Sequence, residues 1–134
     1  KLVPAALLHG LFYPDLFTLV RQVQIACSHA ERGSSRLAGL EPPIQDDKEA
    51  TLEELEARVA KTVAYVKSVD PKKMEGMEDC DITFPLGDKK LTLKGADYLL
   101  HFSMPNFYFH VTTSYTILRH NGLQIGKMAL IGNQ

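Results

Sequence analysis

The sequence is short of cysteine, of net charge and of long apolar runs, and each shortage excludes something. Only Cys27 and Cys80 occur in 134 residues, too few for a disulfide framework. Cys27 falls on a helical apolar face, where a small thiol is ordinary packing. Cys80 sits between Asp79 and Asp81, a setting with no positive charge to activate a thiol. Two such different thiols predict a reduced chain, and the expected location is cytoplasmic. The formal charge is −1, with the 15 Lys and Arg residues dispersed, so there is no basic footprint for nucleic acid or an anionic membrane. No apolar stretch approaches the length of a membrane span. Glycine-rich phosphate loops, H-E-x-x-H, paired C-x-x-C and nucleophile elbows are all missing. Carboxylates are many, but they fall on the exposed sides of expected helices and in loops, as solvated charges usually do.

What remains is a 134-residue chain with 45% hydrophobic content, enough for one domain over 1–134 with a core of its own. Apolar residues recur at helical spacing in three long stretches. In the first, Tyr13-Pro14-Asp15 reads as a helix start. A stripe through Leu16, Leu19, Val20, Val23, Ala26, Cys27, Ala30 and Leu37 then reaches Ala38, and Gly39 ends it. His29 lies off the centre of that stripe. Ahead of it, Val3–Phe12 is expected to form a turn or two of helix, with His9 on the surface. Glu41–Ala50 is a polar connection broken by two prolines. Thr51-Leu52-Glu53-Glu54 has the pattern of a capping box, and Leu52, Leu55, Val59, Thr62, Val63 and Val66 would be buried behind it. Glu54 and Arg58 are placed outward as an i,i+4 pair, and Pro71 stops the helix.

Lys72–Asp81 is charged, with Met74 and Met77 as gap-fillers. Ile82, Phe84 and Leu86 alternate with other residues, as do Leu91 and Leu93 beyond Gly87-Asp88, which predicts a short hairpin. The last long helix is expected from Ser103, as cap, and Pro105 to a C-terminal Gly122, with Arg119 and His120 complementing its dipole. Phe107, His110, Val111, Ser114, Ile117 and Leu118 make its apolar face. Leu123–Gln134 is apolar enough to fold back on the bundle. Arg119 beside Tyr115 offers either an anion-binding corner or a plain helix-end charge.

Asn106 and His110 stand four apart on one side of that helix. His110 admits two readings. It is a core-edge histidine bonded to Asn106 or a backbone carbonyl, or it is a metal ligand or acid/base. The rings of Phe107, Tyr108 and Phe109 point in three directions, so at least one is exposed, which suggests a subunit interface.

The run PNFYFHVTTSYTILRHNG, followed by LQIGK, together with RQVQIACSHAERGSSRLAG, resembles an uncharacterised family of the DinB/YfiT-like superfamily. The resemblance covers nearly the whole chain. It implies an all-α, up-down four-helix bundle with a short β-hairpin before the last long helix, usually dimeric and often holding a divalent metal on three histidines. Transferred residue by residue, His110 matches the second histidine of the terminal H-x-x-x-H pair, Asn106 stands where the first should be, and His29 is the candidate from the second helix. Asparagine is a weak ligand for Zn or Ni, because its carbonyl oxygen is neutral and hard.

The leading expectation is therefore a homodimeric binding or structural module. It would have a small polar pocket, a small-molecule ligand of unknown identity and a degenerate metal site that holds Zn or Ni weakly if at all. The rival is a metal-dependent thiol transferase or isomerase built on the same three residues. Relatives would also carry a long helix ahead of Lys1, so an apolar groove filled by a partner chain or a peptide is expected.

Overall fold

The computed structural model describes residues 4–132; Val3 of the expected first turn and Asn133-Gln134 of the tail lie outside the described residues. Six α-helical segments and one hairpin follow in order: α1 Pro4–Leu8, α2 Leu19–Leu37, α3 Leu52–Ser68, β1 Asp81–Leu86, β2 Lys89–Lys94, α4 Gly95–Asp97, α5 Met104–His120 and α6 Lys127–Ile131. The expected helical bundle with a short hairpin is what forms. α2 is its axis, with α3 and α5 both packed along it.

α2 begins later than Tyr13-Pro14-Asp15 suggested. Thr18 has extended backbone and its hydroxyl accepts the Arg21 N–H at 3.4 Å, which makes it the cap. The Leu19 N–H reaches the Gly10 carbonyl at 3.0 Å, so residues 10–19 close as a loop instead of extending the helix. Phe12, Tyr13 and Phe17 are exposed as a result.

α3 starts on its capping box: Glu54 N–H donates to Thr51 Oγ1 at 3.1 Å, and Glu54 Oε2 accepts the Thr51 N–H at 3.2 Å. That engagement turns Glu54 to the helix end. Arg58 is not its outward partner; it is buried, with its side chain 3% exposed. Val59 and Val63, expected inside, are 40% and 45% exposed. They border a slot between α3 and α5 that is floored by α2. Two cavities of about 430 and 360 Å³ run along it and share Ala30, Val66 and Phe107.

The final rod begins earlier than Ser103. α4 runs into a π-helical segment, Tyr98–Ser103, and on into α5. Ser103 has helical backbone and makes no capping bond. Pro105 supplies no N–H, and the helix widens just ahead of it, where the Met104 N–H bonds the Leu99 carbonyl five residues back. Asn106 Nδ2 donates to the Phe102 carbonyl at 2.7 Å, satisfying an acceptor in the widened turn.

β1 and β2 pair antiparallel from Asp81↔Lys94 to Leu86↔Lys89 across Gly87-Asp88, where Gly87 takes φ +59°. Ile82 and Phe84 pack with Leu37 and Tyr98 into one core cluster; Leu7, Leu19 and Ile117 form another. Arg119 donates to the Leu123 carbonyl at 2.9 Å, a helix-end role, and Leu123 folds onto the second cluster. α6 buries nothing.

Candidate functional site

α2 and α5 bring His29 and His110 together. Their rings stack with centroids 5.6 Å apart and planes 13° from parallel, and the Phe102 ring stands edge-on to His29 at 6.3 Å. His29 is thus not a flank residue. It lines the 360 Å³ cavity with Leu37, Val66, Leu99 and Phe107 among its neighbours. That wall is largely apolar, so the polar character expected of the pocket is confined to His29, Ser34 and Ser103.

The His110 ring bonds neither Asn106 nor a backbone carbonyl. Its Nδ1 lies 2.7 Å from Gln22 Oε1. An amide oxygen can only accept, so Nδ1 carries the proton and Nε2 keeps its lone pair. Gln22, buried at 1% exposure, is itself oriented by donating Nε2 to the Phe17 carbonyl at 3.5 Å. A fixed tautomer with a basic nitrogen left over is what a ligand or proton acceptor requires. Asn106, held on the Phe102 carbonyl, lies on the same helix but spends its amide nitrogen locally.

Burial pushes the His29 imidazole from 6.5 down to about 4, with His110, Arg32 and Arg36 adding repulsion. Burial lowers His110 as well, with Arg21 contributing. Both rings are therefore neutral near pH 7. Above pH 6.5 neither the folded nor the unfolded chain protonates His29. Between 6.5 and about 4 only the unfolded chain does, so stability falls as pH falls through that window. The gap gives an upper bound of about 3 kcal/mol, and solvent screening of a half-buried ring reduces it to about 2 kcal/mol. Urea unfolding at pH 7, 6, 5 and 4 is expected to show this slope in the wild type and a shallower one in His29→Gln; identical slopes would refute the assignment.

A family model described as a domain of unknown function, DUF1993, matches residues 1–131. The chain belongs to this family. A solved structure described as a DinB family member protein from Shewanella denitrificans superposes with a TM-score of 0.88 at 38% identity, covering 97% of this chain and 74% of that one. The DinB-like fold expected from PNFYFHVTTSYTILRHNG is thereby established. No functionally curated protein matches the chain.

The three-histidine metal set that the resemblance implies does not fit these residues. Two imidazoles and an amide replace three imidazoles. Among the described residues no group of three His, Cys, Asp or Glu side chains is placed to hold a metal. A neutral amide oxygen adds little to two nitrogens for zinc or nickel.

The second polar system was missed from the sequence. Gln24, Ser28, Glu31 and Ser35 recur along α2 at steps of four, three and four, and all are buried. Glu31 Oε1 accepts from Thr62 Oγ1 at 2.7 Å and from Gln45 Nε2 at 3.2 Å, while Arg58 lies 3.5 Å from Oε2. Arg58 also donates to Asp47 at 3.0 Å and to Ser28 at 3.3 Å. Gln24 donates to Glu49 at 2.8 Å. This network fastens the 40–50 connection across α2 and α3. The stripe itself was visible as a polar periodicity; the carboxylates were not all solvated faces.

Proposed function

We propose that the chain is a DinB-like binding module, one domain over residues 1–134, that works as a homodimer and takes a small ligand beside His29 and His110. The supporting observation is His29 on the wall of a largely apolar 360 Å³ cavity, its neutral ring stacked on that of His110, whose tautomer Gln22 fixes. Such a wall suits a compact, mostly apolar molecule that packs against the His29 ring, with a polar group toward Ser34 or Ser103. His29, Asn106 and His110 are then what is left of a metal set, with weak affinity for Zn or Ni and no catalytic role. Nothing in the donor chemistry favours the transferase or isomerase reading.

Elemental analysis of protein grown in Zn- and Ni-supplemented medium is expected to find well under one equivalent of metal, unchanged in His110→Ala. One full equivalent in the wild type, lost in His110→Ala, would overturn this reading in favour of the metal-dependent enzyme.

A further inference from the structure

A cleft of about 530 Å³ lies against α2 and shares no lining residue with the His29 cavity. One wall is the edge of β1. The sheet has two strands, so one edge of β1 is unpaired. The Gly95 N–H reaches the Cys80 carbonyl at 2.9 Å, one rung beyond the Asp81↔Lys94 pair. Antiparallel bonding alternates from there. It turns the backbone groups of Ile82 and Phe84 toward β2 and those of Asp81, Thr83 and Pro85 away from it. Thr83 Oγ1 and Thr92 Oγ1 stand 2.7 Å apart, as fits a close pair without backbone bonds. Asp81, Thr83 and Pro85 all line the cleft, and the N–H groups of the first two have no backbone acceptor among the described residues.

The opposite wall is the 40–50 connection, whose residues 40–45 line the cleft. It has no regular secondary structure, and residues 41–49 make no backbone–backbone hydrogen bond. The Arg58–Asp47 and Gln45–Glu31 contacts nevertheless fasten it, so the gap between the two walls is preformed. Arg32 and Arg36, one turn apart on α2, also line the gap. Neither has a carboxylate partner among the described residues. Arg36 reaches the Tyr98 hydroxyl at 3.4 Å and lies over the Phe84 ring, whereas Arg32 is exposed. Most carboxylates beside them are already matched: Glu31 and Asp47 by Arg58, Asp81 by Lys94. Glu41 alone is left, so the unmatched charge of the cleft is positive.

We propose that this cleft takes an extended acidic peptide, which adds to the free edge of β1 as a third strand and sets Asp or Glu side chains on Arg32 and Arg36. The peptide backbone supplies partners for the outward N–H and carbonyl groups of Asp81 and Thr83. Side chains alternate across a strand. Every second residue of the peptide therefore falls on the face that Ile82 and Phe84 turn toward Leu37 of α2, where Arg36 lies over Phe84. Carboxylates at those positions meet guanidinium donors, and the residues between them face solvent. A free dicarboxylate would use the arginines and leave the β1 edge bare. A neutral strand would use the edge and leave the arginines unmatched. This site is separate from the ligand site proposed beside His29.

The test is a titration of the isotope-labelled full chain with acetyl-Thr-Glu-Thr-Glu-Thr-amide, followed by amide chemical shifts. The expected result is saturable binding, with the largest shifts at Asp81, Thr83 and Arg32. The same peptide with Gln for Glu, and the Arg32→Glu variant, should each bind at least about tenfold more weakly, as loss of a charge-assisted hydrogen bond predicts. Circular dichroism checks that Arg32→Glu is folded; Arg32→Gln replaces it if it is not. No saturable shift in the cleft, or equal affinity in the folded Arg32 variant, overturns the proposal. Glutarate that binds as tightly as the peptide and leaves Thr83 unshifted makes the cleft a small-anion site and overturns strand addition.

Discussion

Arg58→Ala is expected to destabilise the protein by about 3–5 kcal/mol, a large part of the roughly 5–15 kcal/mol that holds a domain folded. The reason lies with what stays behind. Glu31 is 1% exposed, and Arg58 is its buried cation, reaching Asp47 and Glu49 as well. Truncation leaves a carboxylate in the interior with only the Thr62 hydroxyl and the Gln45 amide. Glu31→Gln should cost less, since the new amide oxygen still accepts from Thr62 and Arg58 keeps Asp47. Urea unfolding midpoints measure both. An Arg58→Ala protein within about 1 kcal/mol of wild type would show the network to be incidental. Because Arg58 fastens residues 47 and 49, the same variant should free the 40–50 connection and speed proteolysis there.

Phe84→Ala is the second large effect, about 3–5 kcal/mol, as for other buried phenylalanines. Phe84 is 2% exposed and sits within 5.0 Å of the Tyr98 ring and 4.6 Å of the Phe102 ring, with the Arg36 guanidinium over its face at 4.9 Å. It ties the hairpin to α2 and to the π-helical segment. The consequence reaches the site, because Phe102 also contacts His29. A cavity behind Phe102 lets water nearer that imidazole, so its pKa should rise from about 4 toward 6.5. Proton NMR titration of the histidines in folded Phe84→Ala reads this directly. An unchanged His29 titration would mean that the hairpin and the site are independent.

The two effects differ in how legible they were. Phe84 announced itself: alternation on either side of Gly87-Asp88 placed it on the inner face of a hairpin, and it is there. Arg58 did not. Four residues after Glu54, it matched a solvent-exposed helix pair; the capping-box pattern already engaged Glu54, but nothing local revealed that Arg58 turns inward to Glu31. The Gln24-Ser28-Glu31-Ser35 stripe shows the same limit. A polar periodicity marks a face of a helix but does not say whether water or another polar surface covers it.

The helix ends divide in the same way. Thr51 and Glu54 fixed the start of α3 because both partners of the capping box lie within four residues. Pro14 and Asp15 suggested a helix start that the Leu19-to-Gly10 contact forecloses, since that bond depends on how the chain returns upon itself. Ser103 and Pro105 suggested another. There the chain enters from α4 through a wide π turn, and a proline tolerated at a helix start is tolerated equally where the helix widens.

The sequence by itself determined the three amphipathic rods, the hairpin and the kinship carried by PNFYFHVTTSYTILRHNG. These rest on spacing along one chain, which local geometry converts directly into faces and turns. Only the tertiary structure decided that Gln22 holds His110, that His29 stacks against it, and that Glu31 and Arg58 are buried together. Each of those joins residues from different elements, and their energies depend on the exclusion of water between surfaces whose mutual orientation no local pattern encodes.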